Sequence, residues 1–100
     1  MNPQMLRKLQ KMQKDLQEQQ ENLKKTVFEG SAGGGMVTVL VTGAKEVQKV
    51  TIDKDVELEK DDLEMLEDTI VAALNDALKK VEKAEEEIAG SLTGGLPGFF

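Results

Sequence analysis

Three segments with strand character lie between residues 27 and 53, and the connections between them are too short to hold a helix. Val27, Phe28 and Glu29 start the first. Gly30-Ser31-Ala32-Gly33-Gly34-Gly35 then reads as a flexible loop. Residues 36–42 form the second, with Val37, Val39 and Val41 on one face. Residues 43–46 are a turn, and residues 47–53, with Val50 and Ile52 alternating, form the third. Parallel neighbours need a crossover of a dozen residues or more, so these strands pair as an antiparallel meander. The fold class is therefore α+β. Three small strands with helices on one side leave an open edge and an open face, and a second copy of the chain could cover both.

The flanks of this meander are helical. Residues 4–25 are rich in Gln, Lys, Leu, Met and Glu, and contain no Gly or Pro. Asn2 is placed to cap this helix and Pro3 suits its first turn. Met5, Leu9, Met12, Leu16 and Leu23 trace a heptad seam, with Gln19 filling its one gap. A seam this narrow fits against one other helix and not into a broad core, which predicts a coiled-coil-like pair projecting from the body. Residues 61–89 form a second helix. Asp61 and Asp62 stand at its start, where carboxylates are favoured, and Gly90 is its stop. Its broad apolar face runs from Leu63 through Ile70, Ala73, Ala77 and Val81 to Ile88. That face should cover the sheet first and meet the first helix further on.

Composition removes much chemistry. The 100 residues include no His and no Cys, which excludes Ser-His-Asp and Cys-His catalysis, disulfides and the usual zinc sites. The three aromatics are all Phe, so few rings are available for bases to stack on. No apolar run approaches the roughly 20 residues of a membrane span, and no signal peptide is evident, so the expected location is cytoplasmic.

Three local patterns invite a ligand. The glycine loop lacks the Gly-Lys-Ser/Thr ending and the following helix of a phosphate-binding loop, so a hairpin loop is preferred. The run from Asp53 to Glu64 puts acids at calcium-loop positions but has Leu58 where the sharp turn needs Gly, so a solvated strand-to-helix link is preferred. Asn75-Asp76 interrupts the apolar second helix, either as a buried device fixing register or as a solvent-facing pair. The methionines, Met1, Met5, Met12, Met36 and Met65, read as fillers of packing gaps.

Net charge is −6, unevenly spread: +3 over residues 1–25, zero over 26–54 and −9 over 55–100. Arg7, Lys8, Lys11 and Lys14 precede the first acid, Asp15. Arg7, Lys11 and Lys14 recur at four and three, and line one side of the seam, with Lys8 flanking them. Such a cluster either solvates a coiled coil or binds an anion at one end of an acidic body.

The ordered set of segments resembles the YbaB/EbfC family of bacterial nucleoid-associated proteins over essentially the whole chain. It comprises Met5-Leu6-Arg7-Lys8-Leu9-Gln10-Lys11-Met12-Gln13, Gly33-Gly34-Gly35-Met36-Val37-Thr38-Val39, Val41-Thr42-Gly43, Val50-Thr51-Ile52-Asp53, Met65-Leu66-Glu67-Asp68, Ala72-Ala73-Leu74-Asn75-Asp76-Ala77 and the Leu96-Pro97-Gly98-Phe99 tail. The resemblance implies a cytoplasmic, nucleoid-associated homodimer of tweezer-like shape, in which two small sheets join and helix pairs project. It also implies binding of double-stranded DNA that alters DNA conformation and affects transcription, with no enzymatic activity.

One dimerising domain over 1–90 and a flexible glycine-rich tail over 91–100 are therefore expected. Arg7, Lys8, Lys11 and Lys14 are the expected DNA contacts, chiefly to the phosphate backbone, because Glu82, Glu85, Glu86 and Glu87 make the second helix acidic. Leu9, Met12, Leu16, Leu23, Val39, Val50 and Ile52 are the expected dimer or helix-packing residues. No catalytic residue, metal, cofactor, membrane or small-molecule substrate is expected. The alternative is an interaction module whose helical prongs grip another protein.

Overall fold

The computed structural model describes residues 2–94, with side chains as far as Ser91. The order is α1 (Pro3–Lys25), β1 (Val27–Ala32), β2 (Val37–Thr42), β3 (Val47–Ile52), a single 3-10 turn (Lys60–Asp62) and α2 (Leu63–Gly94). The strands form one antiparallel sheet in the order β1-β2-β3, the α+β meander that the short connections require.

Two boundaries differ from the sequence reading by more than two residues. Gly30-Ser31-Ala32 belongs to β1, and the hairpin turn is confined to residues 33–36, with Gly33, Gly34 and Gly35 all at positive φ. Gly30 is in the strand because α2 lies directly on it: a Cβ there would collide with the Ala73 carbonyl and the Ala77 amide, and would stand 2.7 Å from the Ala77 Cβ. Glycine here marks close backbone approach, not a loop. Gly90 does not stop α2, which continues to Gly94. It is not among the glycines at positive φ, so no left-handed cap forms. A helical Gly costs only about 1 kcal/mol relative to Ala, and Ser91-Leu92-Thr93 can follow it. Residues 91–94 of the expected tail are thus helical; its remainder, 95–100, lies outside the described residues.

The core is small. Val37, Val39 and Val41 of β2 are sealed beneath Ala73, Ala77 and Val81 of α2, with Phe28, Ala32, Met36, Leu66, Ile70 and Leu74 packed around them. Valine on one side and alanine on the other bring helix and sheet close together. α2 covers β1 and β2, while every residue of β3 remains exposed.

The molecule measures 70 × 25 × 15 Å with a radius of gyration of 19.7 Å, against about 13 Å for a compact chain of this length. The excess is helical projection. Gly30→Ala should therefore push α2 off the sheet and cost roughly 1–3 kcal/mol. The check is the melting temperature, which should fall by roughly 4–8 °C per kcal/mol; an unchanged value would show that the close approach is dispensable.

Candidate nucleic-acid interface

α1 is built by local rules. Asn2 accepts the Met5 amide on its Oδ1 at 2.7 Å, Pro3 occupies the first turn, and Lys24 and Lys25 stand at the C-terminal end of the helix dipole. The helix ends as the Thr26 amide donates to the Asn22 and Leu23 carbonyls, both at 3.0 Å. Gly43 of the β2–β3 turn then seats it. A Cβ at Gly43 would overlap the Leu23 carbonyl and stand 3.0 Å from Leu23 Cγ, while the Gly43 amide donates to the Thr26 carbonyl at 3.0 Å.

From this root α1 runs outward alongside α2, in the opposite sense. Leu16 and Leu23 line a cleft of about 580 Å³ with Lys24, Lys45, Glu85 and Ile88. Lys45, held at a φ of 66°, reaches Glu85 at 3.7 Å across its mouth. Both side chains are half exposed, so this ion pair adds little stability. Further out, Met12 and Asp15 stand beside Ser91. Only three described residues of α2 follow Ser91, about 4.5 Å of helix. Pro3 to about Leu9 therefore project past the described part of α2. No residue of α1 is fully buried. Met12, Leu16 and Leu23 of the expected seam are half-buried, while Leu9 at 38% and Met5 at 55% are exposed.

Arg7, Lys8, Lys11 and Lys14 are all exposed on the N-terminal half of α1: Arg7 and Lys8 on its projecting stretch, Lys11 and Lys14 beside the described end of α2. Their orientation differs from the expectation that three of them line the seam. Arg7, Lys11 and Lys14 each follow a seam residue by two positions, a rotation of roughly 200° at 3.6 residues per turn. They occupy the face opposite the seam and point away from α2. Along that same face the charge reverses: Glu18 and Glu21 succeed Lys14 toward the root. The cationic surface is thus the outer half of α1, set on a body that becomes strongly acidic in α2.

The other expected packing residues separate. Val39 is sealed under α2 within its own chain, whereas Val50 and Ile52 stay uncovered on β3. Asn75 is exposed, but Asp76 turns to the sheet and accepts the Ser31 amide at 3.0 Å. The adjoining Lys80 donates from Nζ to the Glu29 carbonyl at 2.6 Å. Sequence reasoning missed this role of Asp76 and Lys80; their i, i+4 spacing on the border of the apolar face was the available signal.

In the acid-rich link, Asp53 and Asp62 turn onto backbone amides, those of Asp55 and Glu59, each at 3.0 Å. Among the described residues there is no group of three acids able to hold a metal ion, and no helix long and apolar enough to cross a membrane.

The sequence profile of the YbaB/EbfC DNA-binding family matches residues 1–96. A nucleoid-associated protein of Chloroflexus aurantiacus is 45% identical over 97 residues, covering 97% of this chain and 96% of the relative. A nucleoid-associated protein of Xylella fastidiosa is 48% identical over 99 residues, covering 96% and 90%. Among solved structures, the crystal structure of the uncharacterized protein HP0035 from Helicobacter pylori is similar with a TM-score of 0.70 at 30% identity, covering 93% of this chain and 98% of that one.

If α1 is held only at its root, truncations should be graded along it. Leu23→Ala should cost about 1–3 kcal/mol, less than a fully buried leucine, while Met5→Ala should stay within roughly 0.5 kcal/mol. Urea unfolding of the two variants checks this. Equal losses would mean that the outer half of α1 is packed as firmly as its root.

Proposed function

The chain belongs to the YbaB/EbfC DNA-binding family, and from that premise we propose that it is a nucleoid-associated protein binding duplex DNA as a homodimer, largely through the phosphate backbone. The observation that carries the reading is the placement of Arg7, Lys8, Lys11 and Lys14, all exposed on the N-terminal half of α1, with Arg7, Lys11 and Lys14 on the face opposite the seam. A rod of about 10–12 Å diameter can enter the DNA major groove or lie against its flanking phosphates. Lysines on flexible stems act as point charges and suit phosphate better than base edges. Gln10 and Gln13 are the only amides interleaved with the cluster that could reach adenine.

Charge placement also limits where the duplex sits. Glu18 and Glu21 repel phosphate from the root of α1, and Glu82, Glu85, Glu86 and Glu87 do so along α2. The DNA is thereby confined to the tips of the projecting helices. Two tips per homodimer would engage two stretches of backbone, a means of altering DNA conformation and local transcription. This chemistry uses no cofactor and no catalytic group, and it places the protein on the nucleoid in the cytoplasm.

A second reading, in which the prongs grip a partner protein, is favoured by one observation: Met5 and Leu6 lie exposed on the same tip. DNA titration separates the two. With about 6–8 phosphate contacts per homodimer, affinity should fall by roughly a thousandfold or more between about 50 and 200 mM salt. Lys11→Glu with Lys14→Glu should weaken binding to all sequences about equally while the fold persists, because both positions lie opposite the seam. If the double variant binds like the parent, the DNA site is elsewhere; if the parent does not bind at low salt, the protein-partner reading stands.

A further inference from the structure

The cleft at the root of α1 is lined from three sides. α1 contributes Leu16, Gln20, Leu23 and Lys24, which share one face at helical spacing, α2 contributes Glu85, Ile88 and Ala89, and the β2–β3 turn contributes Ala44 and Lys45. Its volume of about 580 Å³ lies within the roughly 300–1,000 Å³ of small-molecule sites. The inner lining is aliphatic. Leu16, Leu23 and Ile88 are half-buried there, and Ala44 and Ala89 are too short to fill the space between them.

The polar lining is cationic and unevenly paired. Lys45 is the one non-glycine residue at positive φ among the described residues. Glycine or asparagine takes such a turn position at less cost. The turn nevertheless holds a lysine there. The Lys45 amide donates to the Thr42 carbonyl and the Thr42 amide to the Glu46 carbonyl, both at 2.8 Å. The Thr42 hydroxyl accepts the Ala44 and Glu46 amides at 3.2 and 3.3 Å. A sparsely populated backbone state kept by its surroundings points to a use for the side chain it aims.

That side chain reaches Glu85 at 3.7 Å. A tight charge-assisted bond is about 2.7–2.9 Å long, so this half-exposed pair is loose enough to exchange for another anion. Lys24, on the same cleft, makes no ion pair among the described residues. Two cations thus stand against one carboxylate, beside an aliphatic surface.

We propose that this cleft binds a small amphipathic anion, an aliphatic carboxylate, with its head between Lys24 and Lys45 and its alkyl body along Leu16, Leu23 and Ile88. Glu85 already presents a carboxylate to Lys45, so the head group is one the site accepts. No aromatic residue lines the cleft, which favours an alkyl body over a ring. The bound head takes Lys45 from Glu85, and the Glu85 carboxylate returns to solvent. The site shares no residue with the Arg7–Lys14 cluster, so it stands whether or not that cluster meets DNA.

The test adds decanoate, below its micelle-forming concentration, to the full chain and follows backbone amide NMR shifts and the melting temperature. Decanol keeps the alkyl body without the charge, and acetate keeps the head without the body. Decanoate should move the amides of Leu16, Leu23, Lys45 and Ile88 and raise the melting temperature with concentration. Decanol and acetate should each bind at least about tenfold more weakly. Lys45→Gly relieves the positive φ and removes a cation, so it should melt no lower than the parent yet bind decanoate roughly tenfold more weakly. Lys24→Gln, at an exposed helical position, should weaken binding without touching the turn. Glu85→Gln removes the internal competitor and should tighten binding roughly two- to fivefold. Equal binding of decanoate and decanol, shifts centred on β3 or on the tip of α1, or no shift at all would overturn the assignment. So would parent-like affinity in Lys24→Gln or in a folded Lys45→Gly.

Discussion

At Gly30 the backbone of β1 and the backbone of α2 come closer than any side chain between them would allow. Ala73 and Ala77 present the smallest helix surface available and Gly30 presents none. This contact fixes how low α2 sits, and the rest of the architecture depends on it. A helix set that low over β1 and β2 buries Val37, Val39 and Val41 completely with few atoms. It also brings Asp76 and Lys80 within reach of the outer edge of β1, and it leaves β3 beyond its cover. The small core, the closed edge and the open edge are consequences of one glycine–alanine contact.

The same placement sends the distal half of α2 past the sheet, where it supports the root of α1. Gly43 does for α1 what Gly30 does for α2, letting Leu23 and its carbonyl settle against the β2–β3 turn. Beyond that root α1 is stabilised by its cap, its composition and contact with a single neighbour. It is a helix whose outer face owes nothing to packing, so its charge is free to serve another purpose. The partition of charge follows the partition of support: cations where α1 projects, acids where the helices run together.

Much of this was legible in the residues. The meander followed from connections too short for a crossover, and Asn2-Pro3 marked the start of α1. The seam at Leu16 and Leu23 also signalled a single neighbouring helix. Three features were not legible. Gly30 read as loop because strand and loop glycines look alike until the helix above them is known. Gly90 read as a stop because a C-terminal glycine caps a helix only if its φ turns positive, which the tertiary setting decides. Asp76 read equally as buried or solvated, since its partner, the Ser31 amide, is 45 residues away in sequence. Helical spacing puts Arg7, Lys11 and Lys14 on one face with Lys8 flanking it, and their side relative to the seam follows once the rotation per residue is carried through. The charge map of α1 was therefore present in the sequence, and only its orientation toward α2 had to come from the structure.

The central claim is that the projecting half of α1, and not α2 or the sheet, meets the DNA. The most direct measurement is a residue-by-residue map of backbone amide NMR shifts as duplex DNA is added at low salt. The account predicts that changes concentrate between residues 4 and 14 and fade by Glu18, with the amides around Glu82 to Glu87 and the core strand β2 little moved. Changes centred on α2 or on the sheet, with the outer half of α1 undisturbed, would contradict it.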